Sequence, residues 1–258
     1  MIILLSPAKT MDFHAPCPVD RWTQPRLLDA AGDLVQTVAA LERAELQELM
    51  KVSRQLADQT HARFSNWRRG AHDSPGEALQ AVAAYRGEVY RGFDTGSLTP
   101  EDAAYAQRHL RILSGLYGVL RPLDLILPYR LEMATPLPNC CGENLYDFWG
   151  NRIAEVLEAD ALEVNTSVFI NLASQEYLRA VRIAERPISV ITPVFKDLRN
   201  GKPRVVGMYA KKQRGRLARY IVDQRVTDPA AIKDYRDDGY AFSQEHSTAT
   251  QWVFLRSR

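Results

Sequence analysis

The sequence predicts an α+β fold: one integrated domain over residues 1–258, with a mixed sheet, many helices and a helix-hairpin-helix element. Three observations lead there. The first half is patterned at helical spacing, whereas the second half alternates β-rich runs with helices. No linker rich in Pro, Gly or Ser divides the halves. Finally, the run HLRILSGLYGVLRPLDLI at residues 109–126 sets a glycine-containing turn between two apolar segments.

The elements follow in order. Residues 1–5, MIILL, read as a short buried strand ended by the Ser6-Pro7 turn. Residues 25–67 are helical, with Leu27, Leu28, Ala31, Leu34, Val35, Val38 and Leu41 at helical spacing and a second amphipathic stretch over 44–56. Ser74-Pro75-Gly76-Glu77 opens another helix, with Pro75 at its first position. Thr99-Pro100-Glu101-Asp102 is a helix start with Thr99 as the cap. That helix is expected to reach about residue 113, where Ser114-Gly115 stops it.

After Pro128 the character changes. Residues 144–157 read as a helix and 168–172 as a strand, and Ser174 caps a short helix containing Tyr177 and Leu178. Residues 188–195 and 204–209 are β-rich, and Asn200-Gly201 between them is a hairpin signal in a loop longer than two residues. Residues 211–225 are helical, and Asp228-Pro229 starts a further short helix. Residues 240–243 and 252–255 make a closing hairpin.

Composition narrows the class. The 258 residues are 46% hydrophobic and 25% charged, which suits a globular chain and argues against disorder or a repeat array. The apolar N-terminal run is far shorter than a signal peptide, and no run approaches the ~20 apolar residues of a membrane helix. The cysteines number three, an odd set, and neighbouring Cys140 and Cys141 could pair only in a strained ring. A cytoplasmic monomer with reduced thiols and no membrane association is therefore expected.

Two cationic features bear on function. In residues 113–118 the glycines would let backbone N–H groups approach a phosphate, with arginines alongside. A tight turn between two core helices explains the same residues. Separately, residues 199–225 carry nine basic residues against one acid. Lys212, Arg216 and Arg219 share one helical stripe, opposite Leu217, Ala218 and Ile221. Such a face suits a phosphate backbone, and also suits plain solvation.

A third feature is a candidate pocket. Ser6-Pro7-Ala8-Lys9-Thr10 follows one strand and Asn171-Leu172-Ala173-Ser174-Gln175-Glu176 another, and polar groups past strand ends often line a ligand crevice. Lys9 would anchor a phosphate, Thr10 and Ser174 offer hydroxyls, and Glu176 an acid or base. No Walker loop, dinucleotide fingerprint or nucleophile elbow is present, and no His/Cys set has zinc spacing, so neither cofactor nor metal is expected.

The runs LLSPAKTMDF, HLRILSGLYGVLRPLDLILPYRLEM, NLYDFWG, INLASQEY, TPVFKD with NGK, and YAKKQRGRLARYI together resemble the YaaA peroxide-stress family, in order and over nearly the whole chain. The resemblance implies resistance to hydrogen peroxide through limiting free intracellular iron, DNA binding, a helix-hairpin-helix and a positively charged cleft. It implies no catalytic mechanism. On this sequence the nucleic-acid contacts would be Lys9, Arg111, Gly115, Gly118, Arg121, Arg130, Lys211, Lys212, Arg214, Arg216 and Arg219, touching backbone with little sequence preference. The other reading is an enzyme acting on a nucleotide or phosphorylated small molecule, with Lys9, Ser174 and Glu176 as the catalytic candidates.

Overall fold

A nine-stranded mixed sheet runs through the molecule in a computed structural model that describes residues 1–183 and 186–257. An interior strand is β1 (Ile2–Leu5), four aliphatic residues with no solvent exposure. Parallel neighbours flank it: β5 (Leu110–Ser114) on one side and β8 (Val168–Asn171) on the other. Beyond β8 lie β9 (Ser189–Arg199) and β13 (Gln251–Ser257), also parallel. Antiparallel strands finish both edges, β6 (Gly118–Leu120) next to β5, and β12 (Tyr240–Phe242) then β11 (Arg236–Asp237) beyond β13. Parallel strands need cover on both faces, and β1 is accordingly apolar throughout, whereas the longer β9 alternates buried with half-buried positions along its second half.

Helices supply that cover. The first-half pattern resolves into α1 (Leu28–Ala39), α2 (Arg43–Met50) and α3 (Arg54–Ser65). The Thr99 start signal is realised in α6 (Pro100–His109), where the Thr99 hydroxyl accepts from Asp102 N–H at 3.1 Å and the Asp102 carboxylate accepts from Thr99 N–H at 3.0 Å. Between them come α4 (Ala81–Ala84), α5 (Glu88–Phe93) and two small antiparallel pairs, β2 (Thr10–Met11) with β4 (Tyr85–Arg86) and β3 (Leu79–Gln80) with β7 (Leu125–Ile126). Ser74-Pro75 opens no helix; bends carry the chain into β3, and Glu77 is held by Arg68 at 2.6 Å.

The helix-hairpin-helix is corrected by the structure. α6 ends at His109, and Leu110 adopts an extended conformation, φ −106° and ψ 137°. The following LRILS is a strand, folding back through a tight turn onto β6. A five-residue apolar run has no decisive period, and here pairing with β1 makes it a strand. Gly115 and Gly118 are buried in that turn rather than offered to a ligand. A Cβ on Gly115 would overlap the Leu131 carbonyl oxygen, and Gly118 sits at φ +67° against the Trp149 ring.

The second half follows the expected order with three adjustments. Residues 144–157 divide at Gly150 into α7 (Leu145–Trp149) and α8 (Arg152–Glu163). The loop after β9 has two residues, Asn200 at φ 50° and Gly201 at φ 71°, leading into β10 (Lys202–Arg204). Both left-handed residues suit the right-handed strand twist. Residues 205–209 are not a strand: Val205 and Met208 are more than half exposed, and α10 (Gly207–Asp223) begins there. Ser174 precedes the short α9 (Gln175–Arg179), and the closing hairpin forms as β12 and β13. One apolar cluster extends from Met1 to Phe254, drawing on both halves.

Candidate functional site

The connections out of β1 and β8 diverge. From β1 the chain reaches β5 on one side, and from β8 it reaches β9 on the other. Divergence at the carboxyl ends of adjacent parallel strands leaves a crevice between them. A cavity of about 530 Å³ lies there. Ser6 to Thr10 line it after β1, Leu172, Ser174, Glu176 and Tyr177 after β8. Arg86 to Tyr90, Tyr129 to Glu132, and Lys211 with Arg214 of α10 close its walls.

The strand ends are pinned to each other. Ser174 N–H donates to Ser6 Oγ at 2.8 Å, and the Tyr90 hydroxyl donates to the Ser6 carbonyl at 3.0 Å. Ser174 therefore meets Ser6 through its backbone, and its side chain makes no cap bond to α9. Below them, the Tyr129 hydroxyl is shared between Tyr85 at 2.6 Å and Ser114 at 2.7 Å. Burial pushes the Tyr129 phenol up to about 12 and raises Tyr85, Tyr90 and Tyr177 as well. At neutral pH these are uncharged hydroxyls, able to donate and accept.

The walls are predominantly cationic. Lys9, Arg86, Arg130, Lys211 and Arg214 face three carboxylates, Glu88, Glu132 and Glu176. Glu132 bridges two of the cations, at 2.6 Å from Lys9 and 3.6 Å from Arg130. Glu88 is held by Arg91 at 2.8 Å, and Glu176 accepts from Ala134 N–H at 3.1 Å. Arg86 lies 3.5 Å from Asp12. Arg214 differs: among the described residues its one hydrogen bond is a long one, 3.4 Å to the Ala173 carbonyl, and no carboxylate pairs with it. The residue is half-buried, and that burial lowers its pKa. A half-buried cation without a carboxylate partner among the described residues is suited to receiving an anion.

Of the residues expected to touch phosphate, Lys9, Arg130, Lys211 and Arg214 converge here, together with the catalytic candidates Ser174 and Glu176. Others are placed elsewhere. Arg111 is a core residue, 2% exposed, bound to Asp160 at 2.5 Å. Arg121 pairs with buried Asp124 at 3.0 Å. Arg216 pairs with Asp237 at 2.5 Å, and Arg219 with Asp223 at 2.6 Å while also donating to Ser97 Oγ at 2.5 Å. Lys212 lies on α10 outside the crevice lining, and a Cβ at Gly92 would overlap its carbonyl oxygen. The expected stripe is thus divided, since the face opposite Leu217, Ala218 and Ile221 is largely bound to neighbouring acids.

Arg86 and the tyrosines of the floor were not anticipated. Arg63 of α3 lies outside the crevice lining; burial lowers its pKa, and the charge of Arg130 lowers it further. No local motif announces these residues, because they come from short segments that only the sheet brings together.

Comparison with known proteins identifies the family. A family model described as peroxide stress protein YaaA matches residues 1–246. A UPF0246 protein of Shewanella denitrificans is 46% identical over 256 residues, covering 99% of this chain and 98% of that protein. A UPF0246 protein of Shewanella sp. strain ANA-3 is likewise 46% identical over 256 residues, 99% of each. The chain belongs to the YaaA peroxide-stress protein family.

Proposed function

We propose that this peroxide-stress protein works by binding a phosphate-bearing ligand of about nucleotide size in the crevice between β1 and β8. Arg214 carries the reading: a half-buried guanidinium in the crevice wall, without a carboxylate partner among the described residues, beside Lys9, Arg130 and Lys211. The volume of about 530 Å³ suits a small ligand. Glu132, already bridging Lys9 and Arg130, occupies the position an incoming phosphate would compete for. Tyr90 and Tyr129 are engaged with Ser6, Tyr85 and Ser114, so the Tyr177 hydroxyl is the floor's neutral donor for the rest of the ligand. Calorimetric titration with inorganic phosphate and a set of nucleotides tests this. Arg214→Met is expected to weaken binding at least about tenfold, the loss of one charge-assisted contact. Failure of every phosphate compound to bind below about 1 mM would overturn the reading.

DNA as the phosphate source is a second reading, favoured by the nine-to-one basic excess in residues 199–225 and by the exposure of Lys9 and Lys211 at the crevice mouth. Here the cleft cations, without a helix-hairpin-helix, would hold backbone phosphates and shield the duplex from iron-driven oxidation. Duplex affinity should then fall steeply with salt, and Lys211→Met should reduce the slope by about one. A duplex that binds weakly with no salt dependence removes this reading and leaves the first intact.

A further inference from the structure

Residues 133–144 lead from the crevice rim to α7 and contain the consecutive cysteines Cys140 and Cys141. Both side chains are exposed, and their sulfurs stand 3.6 Å apart. The turn beneath them is well held. Asn139 N–H donates to the Gly142 carbonyl at 2.8 Å, and Gly142 N–H returns to the Asn139 carbonyl at 3.3 Å. The Asn139 side chain accepts from Cys141 N–H at 2.9 Å and donates to the Leu137 and Asn144 carbonyls at 2.8 and 3.0 Å.

We propose that Cys140 and Cys141 form a redox-active dithiol that hydrogen peroxide converts to a vicinal disulfide. The geometry carries the proposal: two thiols share one side of a braced turn, in contact with each other and open to a small oxidant. Bond formation needs the sulfurs to close by about 1.5 Å, to the ~2.04 Å of a disulfide. The step balances with peroxide alone. The Cys141 thiolate attacks one peroxide oxygen; the S–O bond forms, the O–O bond breaks, and the hydroxide released takes a proton to become water. Cys140 sulfur then attacks the Cys141 sulfenic acid; the S–S bond forms, the S–O bond breaks, and the hydroxyl leaves with the Cys140 proton as a second water. Two thiols lose two electrons, and one peroxide gains them. Hydrogen bonding to Cys141 raises the pKa of the Cys140 thiol, which suits the partner that keeps its proton until the second step.

Consecutive Cα atoms across a trans peptide are ~3.8 Å apart, shorter than the usual disulfide span, so the ring is strained and easily reduced. It is a reversible mark rather than a permanent staple. The proposal is independent of what the crevice binds.

The test uses the reduced full-length protein with its three cysteines, Cys17 serving as internal reference. A short exposure to stoichiometric hydrogen peroxide should remove two of the three titratable thiols. It should yield a monomer two hydrogens lighter, with the loss mapped to the Cys140-Cys141 peptide and reversed by dithiothreitol. In Cys140→Ser the lighter species should vanish, and a sulfenic acid at Cys141 should be trapped by dimedone. Three outcomes overturn the proposal: oxygen adducts alone at these sulfurs, a disulfide to Cys17 or to a second copy, or oxidation of Cys17 while the pair stays reduced.

Discussion

The Tyr117 hydroxyl shows how much one atom organises. It accepts from Trp67 Nε1–H at 3.2 Å and from Leu127 N–H at 3.1 Å, and donates to His72 Nε2 at 3.0 Å. His72 Nδ1–H in turn donates to the Arg69 carbonyl at 2.9 Å, so the ring is the neutral Nδ1–H tautomer. Tyr117→Phe leaves two N–H donors and one ring acceptor without a partner. The expected loss is about 1–3 kcal/mol in urea unfolding, with the slope unchanged. Unaltered stability would mean that water replaces the hydroxyl. His72 also sets an acid limit, because burial lowers its pKa; the same cause acts on His109, whose Nδ1 donates to the Met1 carbonyl at 3.0 Å. The unfolded chain protonates first, near pH ~6.5, so this contribution is complete above that pH and declines as pH falls below it. The decline is at most about 1.4 kcal/mol per pH unit for each histidine. Urea titrations at about pH 7.5 and 5.5 should show it, and His72→Gln with His109→Gln should flatten it.

At the scale of elements, the crevice depends on the crossing of α5 and α10. A Cβ on Gly215 would overlap the Val89 carbonyl oxygen, and one on Gly92 the Lys212 carbonyl oxygen, so the two helices meet backbone to backbone. That contact holds Lys211 and Arg214 over Gly87 to Tyr90. Alanine for glycine inside a helix ordinarily stabilises by up to about 1 kcal/mol. Gly215→Ala is expected to do the reverse, lowering stability by about 1–3 kcal/mol through overpacking. Gly207→Ala, at the start of the same helix with open space around it, should be neutral or slightly stabilising. Thermal unfolding of the two variants checks the contrast, and equal shifts would show that α5 can slide away. The β5–β6 turn belongs to the same scale. Gly118→Val would force a branched side chain to φ +67°, against Leu27 and Trp149, and should compromise folding rather than any surface contact.

Across the whole molecule, the crevice draws on segments from residue 6 to residue 214, so its occupation is linked to global stability. A ligand that fills it should raise the unfolding free energy by about 2.7 kcal/mol at a hundredfold excess over its Kd. Lys9→Met and Arg214→Met should each shrink that gain with little effect on the unliganded protein. Lys9 is exposed, with its Nζ at Glu132, and Arg214 lacks an ion pair among the described residues. Arg111→Met should behave oppositely. It strands buried Asp160, which then keeps only Arg26 beside it, and is expected to destabilise by about 3–5 kcal/mol whether or not ligand is present. Thermal shift with and without nucleotide separates the two behaviours.

The sequence by itself determined the family, the α+β class, the buried strand at residues 1–5, the Thr99 helix start, the helix after residue 210 and the closing hairpin. Each rests on local chemistry: a capping pair, an apolar run, a helical period, or motifs long enough to be specific. It also placed Ser6, Lys9, Ser174 and Glu176 past strand ends, where the crevice lies. Tertiary structure alone decided the rest. Residues 110–114 are too few to show a period, and pairing with β1 made them a strand where the apolar pattern and glycines suggested a helical hairpin. Arg111, Arg121, Arg216 and Arg219 are indistinguishable in the chain from Arg130 and Arg214. What separates them from Arg214 is a carboxylate partner, as Asp160 is to Arg111, and what separates them from Arg130 is a place outside the crevice lining. Whether a cation is available depends on what the fold sets beside it, and for Arg111 and Arg216 that partner comes from a distant segment no local pattern contains.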